Sequence, residues 1–382
     1  MFETSYIELN LNNLKTNRDF IVSLSGKTCE VSSVVKGNAY GHGISEFVQM
    51  AEQCDVKHFS VFSADEAVEV YDAAKKNPAI MVMGSIDNNG IQWAIEHDIS
   101  FYVFDIERLA QAVRAAQKQD KKAQIHIELE TGMNRTGMEE KTLKAALNFI
   151  KIHPEHLDLK GICTHFAGAE NEKNHGRVEN QMKKFNQLKQ LFQKPSIKKA
   201  KIHTSCSAGL VNFKQFNHDL IRVGIMHYGF WPNQETWTKY SNLNKLEKSP
   251  LKRVISWKSH IMSIKRVKKG EFIGYGETYR AEKPIIIAIV PVGYSHGFSR
   301  SLSNCGFALV RGVKAPVIGI VNMNSLALDI SECYSSEPGD EVVLIGKQGN
   351  QEITVNSFSE SLNMLNYELL TRLPRNLPRI II

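Results

Sequence analysis

Between residues 30 and 225 the chain alternates short apolar runs with longer amphipathic stretches. The apolar runs are "EVSSVVK", "HFSVFS", "AIMVMG", "ISFYVF", "QIHIELE", "LKGICTHF", "KIHTSC" and "LIRVGI". Each is short enough for a buried strand. Most of the intervals carry apolar residues at helical spacing, clearest in "ADEAVEVYDAAKK", "DIERLAQAVRAAQKQ" and "VENQMKKFNQLKQLF". Asp105 stands where a helix N-cap belongs. Eight strands alternating with helices predict an α/β fold, a parallel (β/α)8 TIM barrel. A doubly wound open sheet uses the same alternation and is the alternative.

The texture changes beyond about residue 245. "VISWKSHIMSIKRV", "PIIIAIVPVGY", "FALVRG", "APVIGIV", "SLALDI" and "EVVLIG" read as strands separated by Gly, Pro and charged turns. Long helical patterns almost vanish. The expected division is a barrel over residues 1–240 and a mostly β domain over residues 241–382, with "NQETWTKYSNLNKLEKSP" as the linker. No internal repeat or low-complexity tract interrupts either part.

Composition narrows the class. The 382 residues are 42% hydrophobic and 23% charged, as in an ordinary globular protein. No apolar run reaches the roughly 20 residues that cross a bilayer. "MFETSYIELN" lacks the basic and apolar regions of a secretory signal. Six scattered cysteines form no C-x-x-C pair and no zinc-type spacing, so reduced thiols in a cytoplasm and no metal are expected. The formal charge of +7 lies largely in "KKFNQLKQLFQKPSIKKAK" and "RVKKG". No nucleic-acid motif accompanies it, so a solvated helix face is expected and no nucleic acid or membrane partner.

In a (β/α)8 barrel, functional side chains project from the C-terminal ends of the strands. Lys36 ends the first strand run. Arg135 follows the fifth, in "ELETGMNRTGM". His165 ends the sixth, Ser207 follows the seventh, and Arg222, Gly224 and Ile225 lie along or just past the eighth. Any one of these alone is an ordinary surface or packing residue; all of them on one rim form a site. A desolvated lysine is a carbonyl-reactive amine. The carbonyl cofactor that fits is pyridoxal phosphate, which needs a lysine, a phosphate cup and a partner for its ring nitrogen. "SAG" and "VGI", after strands seven and eight, offer a hydroxyl and backbone N–H groups for the phosphate.

These residues lie in segments that resemble the bacterial alanine racemases, pyridoxal-phosphate enzymes of fold type III. "VVKGNAYGHG" resembles their cofactor-lysine motif and "ETGMNRTG" their substrate-arginine segment. "THFA", "SCSAGL", "IRVGIMHYG", "IGYGETY", "VPVGYSHG", "GIVNMNS", "GDEVVLIG" and "NYELLTRLPRNLPR" follow in the family's order. The resemblance implies that Lys36 carries the cofactor and is one catalytic base, and that Tyr275 is the other, supplied by the second domain of the partner in a homodimer. It implies phosphate contacts from Tyr40, Ser207, Gly224, Ile225 and Tyr367. It sets Arg222 at the pyridine nitrogen and His165 against the cofactor ring, bonded to Arg222 or the tyrosine network. Arg135 and the backbone of Met323 are matched to the substrate carboxylate, and Tyr294 to the access channel. The implied reaction interconverts L- and D-alanine and supplies D-alanine for peptidoglycan.

Four positions depart from the family pattern. Glu128 stands where a lysine, often carbamylated, is frequent. Cys206 replaces an asparagine, and His296 and Asn324 replace aspartates. These changes leave open a broader amino-acid racemase, acting for example on serine. A non-catalytic pyridoxal-phosphate barrel protein is a further alternative, although such carriers lack the β domain. A basic amino-acid decarboxylase shares the architecture, but an acid would stand at Arg222.

Overall fold

The computed structural model describes residues 3–26, 28–192, 200–356, 358 and 366–382. Residues 193–199 of the lysine-rich run lie outside them. The chain divides into two compact units. One holds residues 12–36 and 47–252; the other holds 1–11, 37–46 and 253–382.

The first unit is the expected barrel. Its eight strands are Glu30–Val34, His58–Ser63, Ala79–Ser85, Ser100–Val103, Ala123–Glu128, Leu157–Cys163, Lys201–His203 and Leu220–Val223. Seven consecutive strands pair in parallel, and the eighth returns to pair with the first, Glu30 opposite Leu220. The seam lies between the seventh and eighth strands. Among the links that bridge it are Asp219 N to Ile202 O at 3.0 Å, Arg222 N to Ser205 O at 3.1 Å, and a parallel bridge between Cys206 and Arg222. Closure removes the free edges that an open sheet would expose.

Helices alternate with these strands. Asp105 caps Ile106–Gln119 by accepting from Arg108 N at 2.7 Å. The interior mixes apolar and polar side chains. Met81, Tyr102, Cys163 and Leu220 pack together. Ser32 Oγ meets Ser60 Oγ at 2.5 Å and His58 Nδ1 at 2.8 Å.

The segment read as a linker differs from expectation. Gln234–Asn244 is a helix, capped by Asn233, which accepts from Thr236 N at 2.8 Å. Trp237 and Tyr240, three residues apart, both pack on Trp231, with ring centroids 5.1 and 5.2 Å away. That aromatic pair at helical spacing outweighs the polar composition around it.

The second unit is a ten-stranded, mostly antiparallel sheet. It runs from the edge strand Ser263–Val267 through Ile285–Val290, Leu326–Asp329, Val313–Ile318, Phe307–Val310, Glu341–Gln348 and Ile255–His260. Ser5–Leu9 and Arg379–Ile381 complete the path, and Gln351–Ile353 pairs off it. The first strand of the chain, Ser5–Leu9, belongs to this sheet and not to the barrel. Ile285, Ile287, Ile318 and Ala327 are among the residues of its core.

Candidate active site

The first barrel strand ends at Val34, and Val35 still donates to Ser60 O at 2.9 Å. Lys36 follows. The backbone then enters a left-handed turn, with φ of 64° at Gly37, 55° at Asn38, 51° at Ala39 and 50° at Tyr40. Left-handed helical geometry costs a non-glycine residue roughly 1–2 kcal/mol. Local bonds hold the turn: Gly41 N to Gly37 O at 3.1 Å, Gly43 N to Asn38 O at 3.0 Å, and Ile44 N to Asn38 Oδ1 at 3.2 Å. A Cβ at Gly41 would stand 1.9 Å from Leu370 O. That approach is open only to glycine. Leu370 lies on the helix Asn366–Thr371, which also carries Tyr367. The rings of Tyr40 and Tyr367 meet edge to face, 6.1 Å apart at 86°.

In the barrel unit, Lys36 shares its surroundings with Arg135, Glu66 and Cys206. Desolvation lowers its ammonium pKa first, and the positive charge of Arg135 lowers it further, against Glu66 and Cys206. The lysine is thereby biased toward its neutral, nucleophilic form. His165 belongs to the same cluster. Desolvation and the cations Arg222, Arg135 and Lys36 hold its pKa at about 3, so it is neutral at physiological pH.

Arg222 is buried and closely bonded. Its Nη1 meets His203 Nδ1 at 2.5 Å and His203 O at 2.8 Å; its Nη2 donates to Thr164 O at 2.8 Å and Thr204 O at 3.3 Å. Burial alone would lower its pKa, but Tyr102, Cys163, Cys206 and Glu128 together raise it. A guanidinium has five N–H groups. Four serve the barrel, and the fifth, on Nε, has no protein acceptor among the described residues. The imidazole bonded to Arg222 is that of His203, which the sequence reading did not single out.

Across the seam, Gly224 N donates to Ser207 Oγ at 3.1 Å. Ser207 begins the short helix Ser207–Asn212, and Ile225 is buried just past Gly224. Because Ser207 Oγ already accepts from Gly224, its own proton is free to donate to an anion.

Arg135 sits in the loop Leu129–Met138. The loop closes on itself through Glu130 N to Met138 O at 3.1 Å and Met138 N to Glu128 O at 2.8 Å. The carboxylate of Glu130 fills its interior, accepting from Gly132 N and from Asn134 N at 2.9 Å. Glu128, at the strand end beneath, is 5% exposed, and its Oε2 has no hydrogen-bond partner among the described residues. Burial raises its carboxyl pKa, opposed by a hydrogen bond from Thr136 and by Arg135 and Arg222.

The remaining candidates lie in the β unit. Tyr275 is 75% exposed at a hairpin tip, between Gly274 at φ 75° and Gly276 at φ 69°. Ile273 N donates to Tyr279 O at 3.1 Å and closes that hairpin. Tyr294 and Met323 run on adjoining segments: Tyr294 N donates to Asn322 O at 3.0 Å and Ser295 N to Met323 O at 3.0 Å. Ser295 Oγ bonds Met323 O and Asn324 Oδ1, both at 2.8 Å, and meets His296 Nδ1 at 3.2 Å.

The pattern of the alanine racemase N-terminal domain matches residues 9–232, and that of the alanine racemase C-terminal domain matches residues 254–381. The chain belongs to the alanine racemase family. It is 33% identical to the alanine racemase of Leptospira interrogans serogroup Icterohaemorrhagiae serovar copenhageni over 383 aligned residues, covering 99% of this chain and 96% of that one. Among solved structures, the alanine racemase of Clostridium difficile 630 superposes with a TM-score of 0.90 at 26% identity, over 100% of this chain and 96% of that one. Bacillus anthracis alanine racemase with bound L-Ala-P superposes at 0.88 with 29% identity and the same coverage. The family is one of racemases, a class of isomerases, and it is pyridoxal-phosphate-dependent.

Four residues that sequence reasoning passed over contact the candidate segments: His203 bonds Arg222, and Glu130, Thr131 and Gln181 bond within or around the Arg135 loop. Gln181 was the most legible of them. It falls on the apolar stripe Val178, Met182, Phe185 and Leu188, where a polar side chain needs partners.

Proposed function

We propose that this chain interconverts L- and D-alanine with pyridoxal phosphate bound at Lys36, as a homodimer with shared active sites. The observation that carries the reading is Lys36 itself: a strand-end amine with a lowered pKa, beside Arg135 and the neutral His165.

The residues present fit the cofactor. Lys36 offers the amine, and Ser207 offers a hydroxyl donor oriented by Gly224. Arg222 offers one uncommitted N–H from an otherwise fixed guanidinium. Tyr40, Tyr367, Gly224 and Ile225 are assigned with Ser207 to the phosphate, and His165 to the ring face. Bound there, pyridoxal phosphate draws electrons from the α-carbon of an attached amino acid and loosens its α-hydrogen.

The chain's own groups then decide the outcome. Arg135 and the backbone of Met323 hold the substrate carboxylate, which fixes the α-carbon. Lys36 Nζ takes or returns the α-proton on one side. Tyr275 Oη of the partner subunit does so on the other, so neither base crosses the substrate plane. Arg222 cannot surrender its proton, so the ring nitrogen it faces stays unprotonated and electron withdrawal stays limited. That restraint favours proton return over side reactions. Tyr294 lines the access channel. The high exposure of Tyr275 in a single chain supports a role completed in the dimer.

We further assign the enzyme to the cytoplasm, supplying D-alanine for peptidoglycan. Six free cysteines agree with a reducing compartment. Among the described residues no helix is long and apolar enough to cross a membrane.

The test is incubation of the purified protein, supplied with pyridoxal phosphate, with each L-amino acid in turn, followed by chiral chromatography. D-alanine is expected to form fastest. Faster inversion of serine would favour the broader racemase. No inversion of any amino acid by folded, cofactor-loaded protein would overturn the reading.

A further inference from the structure

Gln181, on the helix His175–Lys189, is 1% exposed, and every bond its side chain makes goes to a rim loop. Its Oε1 accepts from Ala167 N at 2.8 Å. Its Nε2 donates to His165 O at 2.9 Å and to Thr131 Oγ1 at 3.1 Å. Thr131 belongs to the loop of Arg135; His165 and Ala167 belong to the next loop. The two backbone partners fix which end of the amide is oxygen, because a carbonyl can only accept and an N–H can only donate.

The chain of bonds continues in one direction. Thr164 Oγ1 donates to Leu129 O at 3.0 Å, so its single proton is committed. The 2.7 Å contact between Thr131 and Thr164 must then use the proton of Thr131. That leaves Thr131 Oγ1 to accept from Gln181. The donors therefore run from Gln181 to Thr131 to Thr164, and the chain ends on the acceptor Leu129 O, all four residues being buried. Inside the Arg135 loop, Glu130 holds the amides of Gly132 and Asn134, and Arg177 Nη2 donates to Gly132 O at 2.8 Å.

We propose that Gln181 is a positioning residue that locks the Arg135 loop to the His165 loop, and through Thr131 sets where Arg135 meets the substrate carboxylate. The proposal rests on the assignment of Arg135 to that carboxylate. An amide needed only to satisfy buried backbone would serve one loop. This one spans two, and it reaches the Arg135 loop through a side chain whose proton direction is set by the neighbouring strand end. Losing it leaves both loops folded on their own internal bonds and joined at their base, by the contacts of Thr164 with Thr131 and Leu129 O, so that their outer parts can shift relative to each other. A shift of about 1 Å at a binding group is enough to matter.

The test compares Gln181→Met, Gln181→Glu, Thr131→Val and Thr131→Ser with the wild type and with Arg135→Leu. Steady-state alanine kinetics are read alongside the affinity for propionate, a carboxylate without the amine, by calorimetry on the cofactor-loaded protein. Gln181→Glu keeps the shape and removes the donors. It, Gln181→Met and Thr131→Val should raise KM and the propionate dissociation constant roughly tenfold, the scale of one hydrogen bond, with kcat within about threefold. Thr131→Ser, which keeps the hydroxyl, should stay near wild type. Combining Gln181→Met with Thr131→Val should be no worse than the more damaging single change. If the Gln181 variants do not fold, Thr131→Val against Thr131→Ser decides. Folded variants with a lowered melting temperature but unchanged KM and propionate affinity would overturn the proposal and leave Gln181 a packing residue. If Arg135→Leu also leaves both quantities unchanged, the assignment of Arg135 has failed, which is a separate result.

Discussion

Arg222 Nη1 lies 2.5 Å from His203 Nδ1, so a permanent cation rests against the acceptor nitrogen of a buried imidazole. An arginine only donates, so Nδ1 is unprotonated and the proton of His203 sits on Nε2, 2.9 Å from His126 Nδ1. Protonating His203 would remove the acceptor and set two cations in contact. Burial first, then Arg222 and the neighbouring histidines, push its pKa well below the usual value.

Acid stability follows from this. Burial also holds His58 and His227 at about 4. In the unfolded chain these side chains bind protons near the ordinary value of about 6.5, so below that pH the unfolded state holds more protons than the folded one. Stability therefore falls as pH drops through the window from about 6.5 to about 4, by up to about 1.4 kcal/mol per pH unit for each histidine. Calorimetry from about pH 7 to about pH 5 should record a steadily falling melting temperature. A flat profile would contradict neutral buried histidines.

Glu128 makes a second prediction. Its buried carboxylate faces the charges of Arg135 and Arg222, with one oxygen lacking a hydrogen-bond partner among the described residues. On the proposed assignment it would supply directly the negative charge that a carbamylated lysine would otherwise bring, so activity should not depend on dissolved carbon dioxide. Glu128→Gln keeps the shape and removes the charge. Its substrate binding should weaken by on the order of 1–3 kcal/mol. Because burial raises the carboxyl pKa, wild-type KM should climb on the acid side as Glu128 takes a proton, and the variant should lack that limb. Unchanged kcat and KM for Glu128→Gln in carbonate-free buffer would remove Glu128 from the site.

The proposed sharing of the site across a homodimer makes a third. Lys36→Ala and Tyr275→Phe should each be inactive as pure dimers. Mixed and allowed to exchange subunits, they form hybrids in which one site carries both defects and the other carries neither. Activity should return in the mixture. Exchange verified by mass, with no recovered activity, would contradict a tyrosine supplied across the dimer.

Much of the fold was legible in the chain because the barrel strands are mostly buried and keep their apolar runs, from "HFSVFS" at His58–Ser63 to "LIRVGI" at Leu220–Val223. The candidate residues of the barrel unit were picked out because they stand at or near the ends of those runs, whereas Tyr275, Tyr294, Met323 and Tyr367 rest on the family resemblance. The linker misled because Trp237 and Tyr240 form a stripe only two residues wide in a polar segment. Ser5–Leu9 gave little sign of joining a sheet whose neighbours, Ile255–His260 and Arg379–Ile381, lie more than two hundred residues away. The left-handed turn at Asn38, Ala39 and Tyr40 carries no local signal beyond its glycines, since two of those three residues ordinarily avoid that conformation. The polar network behind the site, His203 with Arg222 and Gln181 with Thr131, depends on contacts across the barrel that periodicity does not encode.

The central claim is that two bases, Lys36 and Tyr275, work on opposite sides of the same α-carbon. The most direct measurement is the rate at which L-alanine and D-alanine each take up deuterium at the α-carbon in heavy water, for the wild type and for Tyr275→Phe. The wild type should exchange both enantiomers while racemising them. Tyr275→Phe should lose exchange from L-alanine more severely than from D-alanine, with Lys36 still serving the D-side. Equal loss of exchange from both enantiomers in Tyr275→Phe would contradict two independent bases.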